Sequence, residues 1–169
     1  STLEMLQIST CHVKAFSVSL LSNILPFIRV SRTLKSLEIK FSYDPHVPCI
    51  AIVTALRENS SLETLNIDSA VGVSPNTYVV ALQRLKPDAT LKELRISPMI
   101  ASFGEAEMNQ VVSLVKKNYA LTKLDEDFTA HDETGELHAI LRLNQAGRCY
   151  LIDDAGSIPK GVEVLIDVR

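Results

Sequence analysis

Residues 55–67 read ALRENSSLETLNI, and this stretch sets the pattern for the rest of the chain. The pattern predicts the end of a helix, a short turn at residues 59–61 and then a strand. Leu62, Leu65 and Ile67 are the positions predicted to be buried. The last two alternate across Asn66, as residues on one face of a strand do. The stretch therefore predicts a helix–turn–strand unit.

The same unit returns along the chain at nearly constant spacing. The pattern L-x-x-L-x-I begins at Leu3, Leu34, Leu62 and Leu91, and a degenerate copy begins at Leu121, so that the first leucines lie 31, 28, 29 and 30 residues apart. A period near this length is typical of a leucine-rich repeat, in which strand–helix units stack into a solenoid. We therefore predict five repeats over residues 1–143 and a C-terminal cap over residues 144–169.

The size and composition of the chain fit one such stack. The chain has 169 residues, 22% of them charged, and a formal net charge of −3. Since no basic stripe runs along the sequence, binding to nucleic acid or to an anionic membrane has no electrostatic support. Protein partners are the class that the composition leaves open.

Cysteine usage and hydropathy bear on the compartment. Cys11, Cys49 and Cys149 are an odd number of cysteines without tight spacing, which favours a reducing, intracellular setting in the cytoplasm or an organelle. No signal peptide is visible. The most apolar stretch, residues 16–30, is too short to span a membrane and contains Pro26 and Arg29. We therefore predict no membrane insertion.

The same stretch, residues 16–30, predicts a helix that is apolar nearly all round. Such a helix is usually buried on more than one face. Either it forms a thick core layer in the longest repeat, or its outer side docks on a partner. Its apolar residues are Phe16, Leu20, Ile24, Phe27 and Ile28 on one side, extended by Val18, Leu21 and Leu25.

The pattern Ala55-Leu56-x-x-Asn59-x-x-Leu62-x-x-Leu65-x-Ile67 resembles the leucine-rich repeat of the ribonuclease-inhibitor type, and the resemblance extends over about residues 1–143. It implies an α/β horseshoe with a parallel sheet on the concave face and helices on the convex face. The ninth position of that repeat is Asn or Cys in the family. Here it departs from the family in most repeats, so a continuous asparagine ladder is not expected there. The residues are Cys11, Ser42, Ala70, Met99 and Thr129.

Two shorter resemblances concern the end of the stack. Leu121-x-x-Leu124-x-x-x-Phe128 is similar to the last repeat of tropomodulin-type actin-capping domains. Residues 143–148, which read LNQAGR, resemble the terminal segment of repeat proteins from diatoms and related algae. A likeness of this extent carries no function by itself.

The residues between the buried positions of each strand are predicted to form polar columns on the concave face. Opposite charges fall in neighbouring repeats, with Lys40 beside Asp68 and Arg95 beside Asp125. These pairs either keep the sheet face solvated, at about 0–1 kcal/mol each, or make a mixed-charge surface that recognises a protein. The predicted partner-binding residues are Glu38, Lys40, Asn66, Asp68, Arg95, Asp125 and Asp127.

Motifs for catalysis or for metal binding are not found in the sequence. The acidic residues 125–127, 132 and 133 do not have the spacing of a calcium-binding loop. His131, His138 and Cys149 have no accompanying zinc motif. No nucleophile elbow or phosphate-binding glycine loop is present. We therefore predict a non-enzyme with no cofactor and no metal site.

The function predicted from these features is a non-catalytic protein-interaction module that binds its partner on the concave face. Because the chain opens at a repeat strand without a polar cap, we expect it to be the C-terminal part of a leucine-rich repeat protein. An alternative is an accessory subunit of a larger assembly, docked through residues 16–30 and the N-terminal edge. Two further alternatives have less support from the sequence than these. One is an actin-capping domain, supported by one repeat. The other is a GTPase-activating regulator, a class that usually carries a long acidic tail, whereas this chain ends at Arg169.

Overall fold

The computed structural model describes residues 3–9, 14–42, 46–86, 90–97, 103–125, 128, 132 and 134–146, with the backbone alone for 14–20. Strands and helices alternate through most of it. The strands are β1 (Met5–Ser9), β2 (Ser36–Phe41), β3 (Thr64–Ser69) and β4 (Glu93–Ile96). The helices are α1 (Lys14–Val30), α2 (His46–Ala55), α3 (Pro75–Arg84), α4 (Glu105–Lys117) and α5 (Glu136–Gln145). The body of the predicted cap, residues 147–169, lies outside the described residues.

The four strands form one parallel sheet in chain order, which confirms the predicted α/β solenoid. Equivalent positions of successive repeats are hydrogen-bond neighbours, so that Leu6 lies beside Leu37, Leu37 beside Leu65 and Leu65 beside Leu94. Parallel strands need a long crossover, and α1, α2 and α3 supply one between each pair of strands. The period seen in the sequence is thus the period of the sheet.

The core lies between the sheet and the helices. In β2, β3 and β4, the second leucine and the isoleucine of the L-x-x-L-x-I pattern are at most 1% exposed, as Leu65 and Ile67 are in β3. Full burial of such a side chain contributes about 1.5–3 kcal/mol. In β1 the equivalent residues, Leu6 and Ile8, are only half-buried, because no strand covers the outer side of β1 in the described part of the chain.

Helix α1 is longer than the sequence indicated, since it begins at Lys14. Ile24 and Ile28 are buried in the core, and Val30 is 70% exposed. Between these extremes, three of the predicted apolar residues are half-buried: Leu21, Leu25 and Phe27. Part of the apolar surface of α1 is therefore core and part remains accessible.

The ends of two helices carry residues that stabilise helix termini. At the start of α3, the Ser74 hydroxyl accepts a hydrogen bond from the Thr77 amide at 3.3 Å, and Pro75 occupies the first turn. Helix α4 has acidic residues in its first turn and basic residues in its last, as the helix dipole favours. In that first turn, the Glu107 carboxylate accepts from the Gly104 amide at 3.2 Å.

The turns that lead from helix to strand carry the polar links between repeats. Asn59 donates its amide hydrogens to the carbonyls of Ile28 and Ser31 in the preceding repeat, at 2.6 and 3.0 Å. Its carbonyl oxygen accepts from the amides of Ser61 and Leu62, at 2.8 and 2.7 Å. One side chain thus satisfies four backbone groups that would otherwise lack partners in a half-buried turn.

The same contacts recur further along the stack. Asn118 donates to the Lys86 carbonyl and accepts from two amides of its own turn. A second series consists of hydroxyls that each donate to the first leucine carbonyl of the preceding repeat, as Ser61 does to Leu34 at 3.0 Å and Thr90 does to Leu62 at 2.9 Å. These two series of hydrogen bonds link the repeats where the strands begin, whereas the ninth position lies where the strands end.

Candidate protein-binding surface

The candidate surface is the sheet face turned away from the helices, which we call the concave face. The parallel register places outward-facing residues of successive strands side by side. Glu38, Asn66 and Arg95 form one column, and Lys40 lies beside Asp68 in the next. Five of the seven residues predicted for partner binding are therefore neighbours on one surface.

Two ion pairs of this surface lie within single strands, and a third joins Glu93 to Lys123 of the next repeat at 3.5 Å. Lys40 Nζ lies 3.3 Å from Glu38 Oε1, and Arg95 Nη2 lies 2.5 Å from Glu93 Oε1. The pairs expected between repeats, Lys40 with Asp68 and Arg95 with Asp125, are not among the ion pairs of the described residues. Residues two apart on a strand share a face, and a long basic side chain reaches a glutamate there.

Asp68 instead contacts the next repeat through a hydroxyl. Its Oδ1 accepts a hydrogen bond from Ser97 at 3.1 Å, and the aspartate is half-buried. The carboxylate is thereby held in a fixed orientation on the concave face. A fixed carboxylate loses little conformational entropy when a partner binds to it.

Asp125 lies at the end of the sheet rather than within a fifth strand. Its Oδ2 accepts from the Ile96 amide at 2.8 Å and from the hydroxyl of the fully buried Tyr78 at 3.4 Å. The carboxylate thus takes the place that a backbone carbonyl of another strand would occupy beside β4. Burial, and then the charge of Asp125, raise the pKa of Tyr78 well above its usual value. Asp127, also predicted to bind a partner, lies outside the described residues.

Sequence reasoning missed a row of charges where the strands begin. Glu63 Oε1 lies 3.0 Å from Lys35 Nζ, and its Oε2 lies 2.7 Å from Lys92 Nζ. Hydrogen bonds from Lys92 and then Lys35 lower the pKa of Glu63. The signal was present in the sequence, because residues 35, 63 and 92 directly follow the first leucine of successive repeats and alternate in charge.

Metal binding and thiol chemistry find no support in the described residues. Within these ranges, no three His, Cys, Asp or Glu side chains are grouped so that they could hold a metal ion, and His131 and Cys149 of the rejected zinc set lie outside them. Burial raises the pKa of Cys49 to about 12, so its thiol stays protonated and is a poor nucleophile. Across the described part, no helix is both long and apolar enough to cross a membrane.

Comparison with known structures places this arrangement among solved repeat domains. The structure of "Leiomodin-1 Actin-Binding Site 2 (ABS2)" superposes with a TM-score of 0.68 at 18% identity, over 87% of this chain and 83% of that one. The tropomodulin C-terminal domain from Caenorhabditis elegans gives a TM-score of 0.67 at 14% identity, over 88% of this chain and 87% of that chain. The chain has the fold of these domains.

The sequence comparison points the same way. Tropomodulin-4 of Mus musculus is 22% identical over 146 residues, which is 86% of this chain and 42% of tropomodulin-4. The chain thus spans less than half the length of this relative. No protein-family model matches the chain. The likeness to tropomodulin covers most of the chain, whereas the sequence motif had indicated it for the last repeat alone.

Proposed function

We propose that the chain is a non-catalytic, intracellular protein-interaction module that binds a protein partner on its concave face. The observation that carries this proposal is the register of the sheet, which holds charged and amide side chains of three repeats in one rigid array. Adjacent strands lie about 4.8 Å apart, so the spacing of these groups across the sheet is fixed. The proposed contacts are Glu38, Lys40, Asn66, Asp68 and Arg95, with Asp125 and Asp127 at the end of the stack.

The pattern of charges on the concave face supports the proposal that its ligand is a protein. Both signs are present on the concave face, and the glutamates hold the two basic groups in place along their strands. A surface of this kind discriminates among protein partners by matching charges, and unmatched charges repel the wrong ones. It gives no uniformly positive field for a polyanion.

We propose actin as the partner to test first. The support is the leiomodin-1 domain, which is named as an actin-binding site and whose fold is similar to most of this chain. On this proposal the actin contact uses the concave face. The alternative of an accessory subunit rests on a different observation, the exposed apolar residues at the N-terminal edge, where Leu3 is 47% and Met5 67% exposed.

The test is binding of the chain to actin, followed by a concave-face variant. We expect Lys40→Glu together with Arg95→Glu to weaken binding by at least about tenfold, because two favourable contacts become repulsive. The matched control is Arg32→Glu with Arg142→Glu, which changes the net charge equally at two exposed positions outside the proposed contact surfaces and should leave actin affinity unchanged. Circular dichroism checks that both variants are folded.

Three outcomes separate the parts of the proposal. No binding to actin by the wild-type chain rules out this partner and directs the search to affinity purification from extract with mass spectrometry. Partners that wild type and the concave-face variant capture equally would contradict the concave surface itself. A stoichiometric set of partners that survives high salt would favour the accessory-subunit alternative, since apolar docking is little screened by salt.

A further inference from the structure

A second surface lies where the helices end, away from the concave face. A groove of about 300 Å³ runs between the C-terminal ends of α3 and α4. Leu82, Leu85 and Leu114 are its apolar lining residues, of which Leu82 is buried and the other two are half-buried. The groove therefore offers accessible apolar surface between two helices.

Four basic side chains line the same groove, and all four are exposed. They come from three successive repeats: Arg57 follows α2, Arg84 ends α3, Lys86 follows it and Lys117 ends α4. No acidic residue lines the described part of the groove. None of the four cations forms an ion pair with a described residue, and Arg84 donates a hydrogen bond to the Thr54 hydroxyl at 3.1 Å.

Basic residues at helix C-termini have an ordinary structural role, which is to offset the negative end of the helix dipole. Offsetting the helix dipoles does not account for four basic residues around one groove. Each helix end carries about half a negative elementary charge. The ends of α2, α3 and α4 together therefore offset fewer than two of the four cations, and the groove keeps a positive potential in a chain whose net charge is −3.

Elsewhere in the fold, several basic groups at helix and strand ends have acidic partners. Arg29 lies 3.7 Å from Glu58, Lys35 and Lys92 share Glu63, and Lys116 pairs with Glu136. Around the groove the described residues supply no such acidic partners. A row of cations above an apolar floor is complementary to a ligand that has carboxylates and aliphatic side chains together.

We propose that this groove binds an acidic peptide segment of a partner protein, with aliphatic side chains on the leucine floor and carboxylates against Arg57, Arg84, Lys86 and Lys117. The volume suits two or three side chains and is at the lower end of the range for small-molecule pockets. Single-stranded nucleic acid would call for aromatic stacking platforms, and the described lining residues include none. The groove is distinct from the concave face, so the chain holds two contact surfaces.

The experiment titrates the full chain into a short fluorescein-labelled peptide of glutamate and leucine and follows fluorescence anisotropy. We expect saturable binding that weakens as salt is raised, and at least about tenfold weaker binding to the Lys86→Glu, Lys117→Glu double variant. These two side chains are exposed and form no ion pair with a described residue, so the variant should fold. The Arg32→Glu, Arg142→Glu variant carries the same change of net charge outside both surfaces and should bind the peptide as wild type does.

Further measurements distinguish an acidic peptide from other ligands and show where on the chain it binds. A peptide in which lysine replaces glutamate should not bind. Methyl resonances of Leu82 and Leu114 should shift on titration of the acidic peptide. Equal affinity of wild type and the groove variant, or no saturable binding, overturns the proposal. Displacement of the peptide by inorganic triphosphate at lower concentration than by unlabelled peptide overturns the peptide assignment in favour of a phosphate ligand. A failure here leaves the concave-face proposal standing, because the two variants are tested separately.

Discussion

Single side chains link one repeat to the next, and replacing Asn59 measures how much such a link contributes to stability. Its amide group makes four hydrogen bonds to backbone atoms, two of them in the preceding repeat. Asn59→Ala leaves those groups without partners in a half-buried turn, so we expect a loss of about 3 kcal/mol in the free energy of unfolding. Urea denaturation measures it. Asn109→Ala, at an exposed position of α4, is the matched control and should change stability by less than about 0.5 kcal/mol.

Glu63 should make the stability of the fold depend on pH. Its pKa is lower in the folded chain than in the unfolded one, because Lys92 and Lys35 favour the ionised form. A carboxyl with a lowered folded pKa stabilises the fold above its unfolded pKa, and that contribution is lost as the pH falls through the folded value. Glu63→Gln should therefore flatten the fall in stability between neutral pH and acidic pH. Thermal unfolding across that range measures it. Glu58→Gln, at a more exposed ion pair, should change the profile less, and equal profiles would contradict the assignment.

The sheet ends at β4, where the side chain of Asp125 takes the place of a further strand. The Asp125 carboxylate accepts from the Ile96 amide and the Tyr78 hydroxyl, while Tyr78 packs against Phe128 with ring centroids 4.4 Å apart. We expect Asp125→Ala to cost about 2 kcal/mol and to speed hydrogen exchange of the Ile96 amide. Asp125→Asn keeps an acceptor and should cost less. If the two variants exchange alike at Ile96, the hydrogen bond does not close this edge.

The sequence predicted the strands and helices better than it predicted the side-chain contacts between them. A period near 30 residues and alternation at Leu65 and Ile67 predicted stacked repeats, and the resemblance to leucine-rich repeats implied that their strands are parallel. The role of Asp125 was not predictable from the repeat pattern, because it depends on where strand pairing stops. The pairing of Lys40 and Arg95 within their own strands was missed because the sequence gives the register of side chains but not their rotamers. The groove cations come from three repeats and are brought together only by the fold.

For the whole molecule, the stack should be weaker at its N-terminal end than at its centre. Each repeat of a solenoid contacts only its neighbours, so a repeat with one neighbour has fewer stabilising contacts than one between two. Leu65 in β3 is fully buried, whereas its equivalent Leu6 in β1 is half-buried. The two leucines hold the same position in the repeat and differ in their place along the stack, so they form a matched pair.

We therefore expect Leu65→Ala to cost about 3 kcal/mol and Leu6→Ala less than half of that, since the cost of truncation grows with the cavity left behind. Denaturation of both variants measures the difference, and hydrogen exchange should show less protection for β1 amides than for β3 amides. Equal costs would mean that Leu6 is as buried as Leu65, so that the N-terminal edge is already covered in the isolated chain. Unequal costs that become equal in the presence of a partner would place that partner on the edge beside β1, as the accessory-subunit alternative requires, and not on the concave face or in the groove.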